Sequence, residues 1–235
     1  MVTKLLKYIP KPVKSILKSL GFYRLIHLFA DKYAAELIFQ REWAEEFKDN
    51  KVQVLEYWKK YRYLEDIKTL CNIKNETKIL DVGCGISTVL HFIEGEKHGI
   101  DPLADEYKKL YTYPAGINIQ KSFGENIPFP EQYFDVVFCS NVLDHVTTPQ
   151  KTIDEIYRVS KPTGYFVLTV EIFEEKINRD PAHPYCLTKK DIHSLLAAGF
   201  NIIFEKESPW TGLRNYVNGL KGGHNKELIM VCEKR

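Results

Sequence analysis

Residues 78–87 read KILDVGCGIS, and two acids frame the chemistry this stretch can do. Asp81 stands two positions before Gly83, Gly85 follows, and Asp101 comes twenty residues after Asp81. Glycines at such a loop let a ligand approach the backbone where a Cβ would block it. A carboxylate about twenty residues on, at the end of a second strand, can accept hydrogen bonds from both ribose hydroxyls. A carboxylate at position 81, buried beside the loop, is costly unless loop N–H groups or a cation meets it. Cys84, between the glycines, reads as a small filler rather than a nucleophile. The dinucleotide fingerprint G-x-G-x-x-G fits poorly, because Thr88 occupies its third glycine.

A second constellation lies further on. Asn141, Asp144 and His145 follow the apolar run YFDVVFCS, and His183 and Tyr185 sit in RDPAHPYCLT, which Pro181 and Pro184 stiffen. With an unperturbed pKa of about 6.5, His145 or His183 can take a proton from an acceptor hydroxyl near neutral pH. The blander reading is that each only orders its loop; Asp144 would orient His145 or cap the following turn. No metal is expected, because His183 and His193 lack a supporting acid or cysteine spacing.

The elements that must position these residues alternate from Thr77 onward. TKILDVG reads as a buried strand, and STVLHFIEG as a helix closed by Gly95 that would aim free N–H groups at a ligand. KHGID is a second strand, ADEYKKLY a helix and INIQ a short strand. YFDVVFCS has the near-continuous apolar character of a strand buried on both faces. TPQKTIDEIYRVS is a helix, GYFVLTV a further buried strand, and TKKDIHSLLAAGF a helix with Thr188 as N-cap. NIIFEKE and ELIMVCEK close the chain as an antiparallel pair. This is an α/β, doubly wound, mostly parallel seven-stranded Rossmann-like sheet with an antiparallel last strand. Residues 75–235 form this domain, and residues 1–74 an N-terminal helical extension or lid: short basic helices to about residue 30, then longer aromatic helix.

In order and spacing, these motifs resemble the class I S-adenosylmethionine (SAM) dependent methyltransferases over roughly residues 75–205. ILDVGCGIS is similar to the first motif of that family, with Asp81, Gly83 and Gly85. GID is similar to its ribose-binding acid, Asp101. GENIPFPEQYFDVVFCSNVLDHV is similar to the adenine loop and fourth strand of the ubiquinone and small-molecule subgroup. The resemblance implies SAM as cofactor, held by Asp81, Gly83, Gly85, Asp101, Phe123, Gly124, Glu125 and Asn141, with His145 and His183 as catalytic candidates. Phe123 replaces an acid common in the family, so the adenine contact falls to Ser122, backbone or the Phe123 ring face. The implied activity is O-methylation of a small-molecule, sugar or lipid-linked acceptor. The rivals are C-methylation of a quinone or lipid ring and a non-catalytic regulatory partner of the same fold.

Composition bounds the rest. A chain of 235 residues with 44% hydrophobic and 13% aromatic residues can bury one good core. Residues 1–30 carry Lys4, Lys7, Lys11, Lys14, Lys18 and Arg24 with no acid, a charge of +6 against a total of +2. The remainder is therefore at −4, which argues against a nucleic-acid partner. The basic, two-faced N-terminal helices suit peripheral contact with an anionic membrane surface. Five scattered cysteines without a C-x-x-C pair fit a reducing compartment and a cytoplasmic protein, membrane-associated if that contact forms. Trp58, Tyr61, Trp210, Arg214 and Tyr216 are expected either to wall the acceptor pocket, Trp210 and Arg214 holding a sugar or anion, or to dock the helices on the sheet.

Overall fold

In the computed structural model, which describes residues 32–177, 183–209, 212–219 and 225–235, the alternating segments become one seven-stranded sheet. Strands β1 (Lys78–Val82), β2 (Glu96–Asp101), β3 (Ile117–Lys121), β4 (Phe134–Ser140) and β5 (Ser160–Ile172) run parallel. β6 (Phe200–Pro209) and β7 (Lys226–Lys234) finish the sheet, whose order is β3-β2-β1-β4-β5-β7-β6. β7 inserts between β5 and β6 and runs antiparallel to both, as the closing pair of segments predicts. The order reverses between β1 and β4, so a crevice forms beyond the carboxyl ends of those strands.

Helices cover both faces. α1 (Lys32–Asp49), α2 (Lys51–Tyr61) and α3 (Leu64–Leu70) take the place of the single long N-terminal helix. Tyr63 at φ 54° and Asn50 outside the helical region break the run. Trp43, Phe47, Val54, Trp58, Leu64 and Ile67 bury against Ile79, Val136, Phe138 and Val231, together with α4 (Ala104–Leu110). The other face packs Leu80, Val137, Phe166 and Met230 under α5 (Pro149–Val159) and α6 (Lys189–Leu196). α6 starts on a capping box in which Thr188 and Asp191 exchange hydrogen bonds, as its sequence indicates.

One predicted helix is absent. STVLHFIEG forms only a 3₁₀ turn, Val89–His91. Its two ends are pinned: Thr88 Oγ1 donates to Asp81 Oδ2 at 2.6 Å, and Gly95, at φ 123°, lies so close to Thr77 that a Cβ would come within 2.5 Å of its carbonyl oxygen. Too little chain remains between these anchors for an extended helix. A helix N-terminus aimed at a ligand is accordingly not part of this site.

The basic segment 1–30 and Trp210 lie outside the described residues. Among the described residues no helix is long and apolar enough to cross a membrane.

Candidate functional site

β1 and β2 end side by side and carry the two acids to one place. Asp81 is paired in register with Gly99 and Phe138, and Asp101 ends β2. Both carboxylates are buried. Asp101 Oδ2 accepts the Gly85 N–H at 3.2 Å and its Oδ1 the Leu103 N–H at 2.9 Å. Asp81 Oδ2 is taken by Thr88, whereas its buried Oδ1 has no hydrogen-bond partner. Burial pushes Asp81 up to about 7, against the Thr88 hydroxyl and the charge of Arg62, which pull it down. Burial likewise lifts Asp101 to about 6, with the Leu103 and Gly85 N–H groups opposing it and the Glu36 charge adding to it. Buried carboxylates raised in this way are better ionised when a cation comes near.

The glycine loop is no phosphate cradle. The N–H groups of Gly83 and Cys84 both donate to Ile100 O, that of Gly85 to Asp101, and that of Ile86 to Gln40 Oε1 at 3.3 Å. Gly83 sits at φ 70°, where a Cβ would come within 2.3 Å of Val142 Cγ2, so the glycine is required by close packing on the β4 loop. Cys84 is buried, its thiol raised well above the ordinary range by desolvation, and it fills the space under Gly99. It is a filler, as the sequence suggests.

α1 lies over this loop. Tyr33, Glu36, Gln40, Trp43 and Phe47 share one stripe of the helix, at spacings of three and four. Its C-terminal half, Trp43 and Phe47, enters the core; its N-terminal half reaches the site. Gln40 bridges the Ile86 N–H and Glu36 Oε1, and Tyr33 meets Phe123 edge-on, with ring centroids 6.4 Å apart. Sequence reasoning missed these residues, although a stripe that changes from aromatic to polar was there to be read. Arg214, an expected acceptor contact, is instead committed to α1: its guanidinium donates to Glu46 Oε2 at 2.9 Å and Glu42 Oε2 at 3.2 Å. Tyr61 and Tyr216 pack on each other and on Tyr57, and Trp58 is buried, so these rings dock the helices onto the sheet.

The remaining cofactor candidates separate. Phe123 is 44% exposed, with Tyr33 against it. Gly124 lets the loop pass Thr152, whose Cγ2 would be 2.9 Å from an added Cβ. Glu125 Oε1 accepts the Thr147 and Thr148 N–H groups at 2.6 and 3.2 Å, which ties the adenine-type loop to the start of α5. Asn141, at φ 55°, donates from Nδ2 to Glu227 Oε1 at 3.3 Å, and its buried Oδ1 has no hydrogen-bond partner.

Glu227 is the hub of a network invisible in the sequence. It is fully buried on β7, accepts Arg62 Nε and a terminal guanidinium nitrogen at 3.0 and 2.7 Å, and accepts Tyr57 Oη at 3.1 Å. The pair joins α2 to the sheet directly behind Asn141.

His145 and His183 come together, with ring centroids 4.2 Å apart, and Asp144 is buried beside them. The segment carrying His183 is held there through Tyr185, whose hydroxyl donates to Thr147 O at 2.5 Å. His193 is elsewhere, on α6 against Glu205 at 2.7 Å. The histidine pair and the two acids share the carboxyl edge of the sheet: buried Cys139, on β4, feels the charges of both Asp81 and Asp144.

Comparison with known proteins bears on the family and the fold. Residues 80–168 match a family described as a methyltransferase domain. An uncharacterized methyltransferase of Schizosaccharomyces pombe is 33% identical over 109 residues, 40% of this chain and 39% of that protein. A ubiquinone biosynthesis O-methyltransferase of Pseudomonas putida is 32% identical over 117 residues, 44% of this chain and 46% of that protein. The alignments thus span under half of these curated relatives. The YcgJ protein of Bacillus subtilis superposes with a TM-score of 0.57 at 18% identity, over 73% of this chain and 97% of that one, and so shares the fold.

Proposed function

From a chain that carries a class I SAM-dependent methyltransferase domain, we propose methyl transfer from SAM to a hydroxyl oxygen of a small-molecule, sugar or lipid-linked acceptor. The observation that carries this reading is the acid pair itself. Asp81 and Asp101 are buried, raised to about 7 and about 6, and one Asp81 oxygen has no partner, while the loop N–H groups described above are already used. Such a site repels a pyrophosphate and suits a nucleoside that bears an ammonium and a sulfonium. These residues fit SAM: Asp81 for its ammonium, Asp101 for its ribose hydroxyls, Phe123 for its adenine face.

When bound, SAM supplies a methyl group activated by positive sulfur. The chain's part is to align, to exclude water and to handle the acceptor's proton. α1 screens the glycine loop through Gln40 and Glu36. His145 and His183, brought together on the loops after β4 and β5, are the groups at hand for the acceptor hydroxyl. The ubiquinone O-methyltransferase relative favours oxygen over carbon as the acceptor atom.

Titration calorimetry with SAM tests the cofactor half. One site is expected, and Asp101→Ala should weaken it at least about tenfold, a loss of about 1.4 kcal/mol or more. Unchanged affinity would remove Asp101 from the ribose. Product mapping after turnover tests the acceptor half: a new C–CH3 bond rather than an ether would overturn it.

A further inference from the structure

The loop after β4 and the segment after β5 bring three donor groups to one point. Asp144 Oδ1 lies 3.8 Å from His145 Nε2, and the His183 ring stands 4.2 Å from that of His145, centroid to centroid. One ligand atom from each of the three residues lies within 4.8 Å of the others. We propose that Asp144, His145 and His183 bind a single divalent ion of the zinc type, with one coordination position left for an oxygen of the acceptor.

The donor set selects the ion. Two imidazoles with one carboxylate suit zinc and its first-row neighbours, whereas magnesium and calcium prefer all-oxygen shells. Three protein ligands leave a tetrahedral ion one open position, as in catalytic zinc sites; structural sites use four. Ligand atoms around such an ion stand about 3.3 Å apart. Asp144 and His145 are within about half an ångström of that already, and His183 closes the set by side-chain rotation.

Placement supports it as well. The two histidines are 38 residues apart in sequence, yet their carriers are tied together. Tyr185 donates its N–H to Asp144 O at 3.5 Å and its hydroxyl to Thr147 O, and Pro184 stiffens the step between His183 and Tyr185. A hydroxyl bound to that ion breaks its O–H bond as the oxygen–metal bond strengthens, and the proton leaves to buffer nearer neutral pH. This last role rests on the acceptor reading above; the binding of the ion does not.

The test uses the whole chain, stripped with chelator and dialysed. Zinc chloride is titrated by calorimetry, and cobalt chloride by its visible d–d absorption. We expect one ion per chain, cobalt bands of a low-coordinate nitrogen/oxygen site, and no competition from millimolar magnesium. His145→Ala, His183→Ala and Asp144→Asn should each weaken zinc about a hundredfold or more, whereas His193→Ala should leave it unchanged. Far-ultraviolet circular dichroism and the SAM titration confirm that each variant is folded. Absence of zinc binding at up to millimolar concentration, or zinc affinity indifferent to both His145→Ala and His183→Ala, would overturn the site. Zinc binding without SAM binding would keep the metal site and sink the methyltransferase reading; the reverse would do the opposite.

Discussion

Arg62→Met isolates the buried ion pair that joins the N-terminal helices to the sheet. Arg62 is 4% exposed and Glu227 is fully buried, so the substitution strands a carboxylate in the interior. Two charge-assisted hydrogen bonds, at 3.0 and 2.7 Å, disappear. Tyr57 and Asn141 are left as the donors to Glu227, at 3.1 and 3.3 Å. The guanidinium also stacks on Trp58, with its carbon 4.5 Å from the ring centroid, and methionine keeps much of that contact. Breaking such a pair on one side costs about 3–5 kcal/mol. At about 2–4 °C per kcal/mol for a chain of this size, the melting temperature should fall by about 6–20 °C. Urea unfolding followed by circular dichroism and by Trp43 and Trp58 fluorescence measures the loss. The companion double variant Arg62→Met with Glu227→Leu removes both charges and should recover most of it, since an apolar pair of similar volume is often neutral or better. A single-variant cost under about 1 kcal/mol, or a double-variant cost equal to the sum of the two singles, would refute the reasoning. SAM affinity at neutral pH should also drop in Arg62→Met, because the Arg62 charge favours the ionised form of Asp81.

Three further outcomes follow from the acids and the glycine loop. Asp81 binds its proton more tightly folded, at about 7, than unfolded, near 3.9, so the native chain holds the extra proton between those values. Stability of the ligand-free protein should therefore fall as pH rises from about 4 to 7, by a few kcal/mol, and level off above that. SAM affinity should move the other way, rising about tenfold or more between pH 5.5 and 8 as the carboxylate forms to meet an ammonium; calorimetry at both values checks it, with Asp81→Asn keeping only the smaller rise that Asp101, at about 6, contributes. Gly83→Ala places a methyl within 2.3 Å of Val142 at a positive φ and should cost about 2–4 kcal/mol. Val142→Ala in the same chain should relieve the clash but not the backbone strain, so only part of the denaturation midpoint should return.

Local pattern decided the parts of this protein that depend on near neighbours. The apolar runs of β1, β4 and β5 mark strands because both faces of a parallel sheet are covered. Thr188 announces a helix because its partner, Asp191, is three residues away. Asp81, Gly83, Gly85 and Asp101 are legible because a strand, a turn and a second strand set their spacing without help from the rest of the chain. The helix expected after the glycine loop failed for the same reason in reverse. Its periodicity is helical, but Thr88 is held by Asp81 and Gly95 by close contact with Thr77, and neither constraint lies in the segment's own pattern.

What only the tertiary structure decided are the pairings across the chain. Glu227 meets Arg62 across 165 positions because β7 inserts between β5 and β6 and brings its buried face under α2. Gln40 reaches the glycine loop because Trp43 and Phe47, further along the same stripe, enter the core and fix the helix's rotation. Arg214 meets Glu46 and Glu42 across 168 and 172 positions, a pairing that nothing in its own neighbourhood announces. His145 and His183 were separate candidates in the sequence. They came together because β4 and β5 are adjacent and parallel, which delivers their following loops to the same edge.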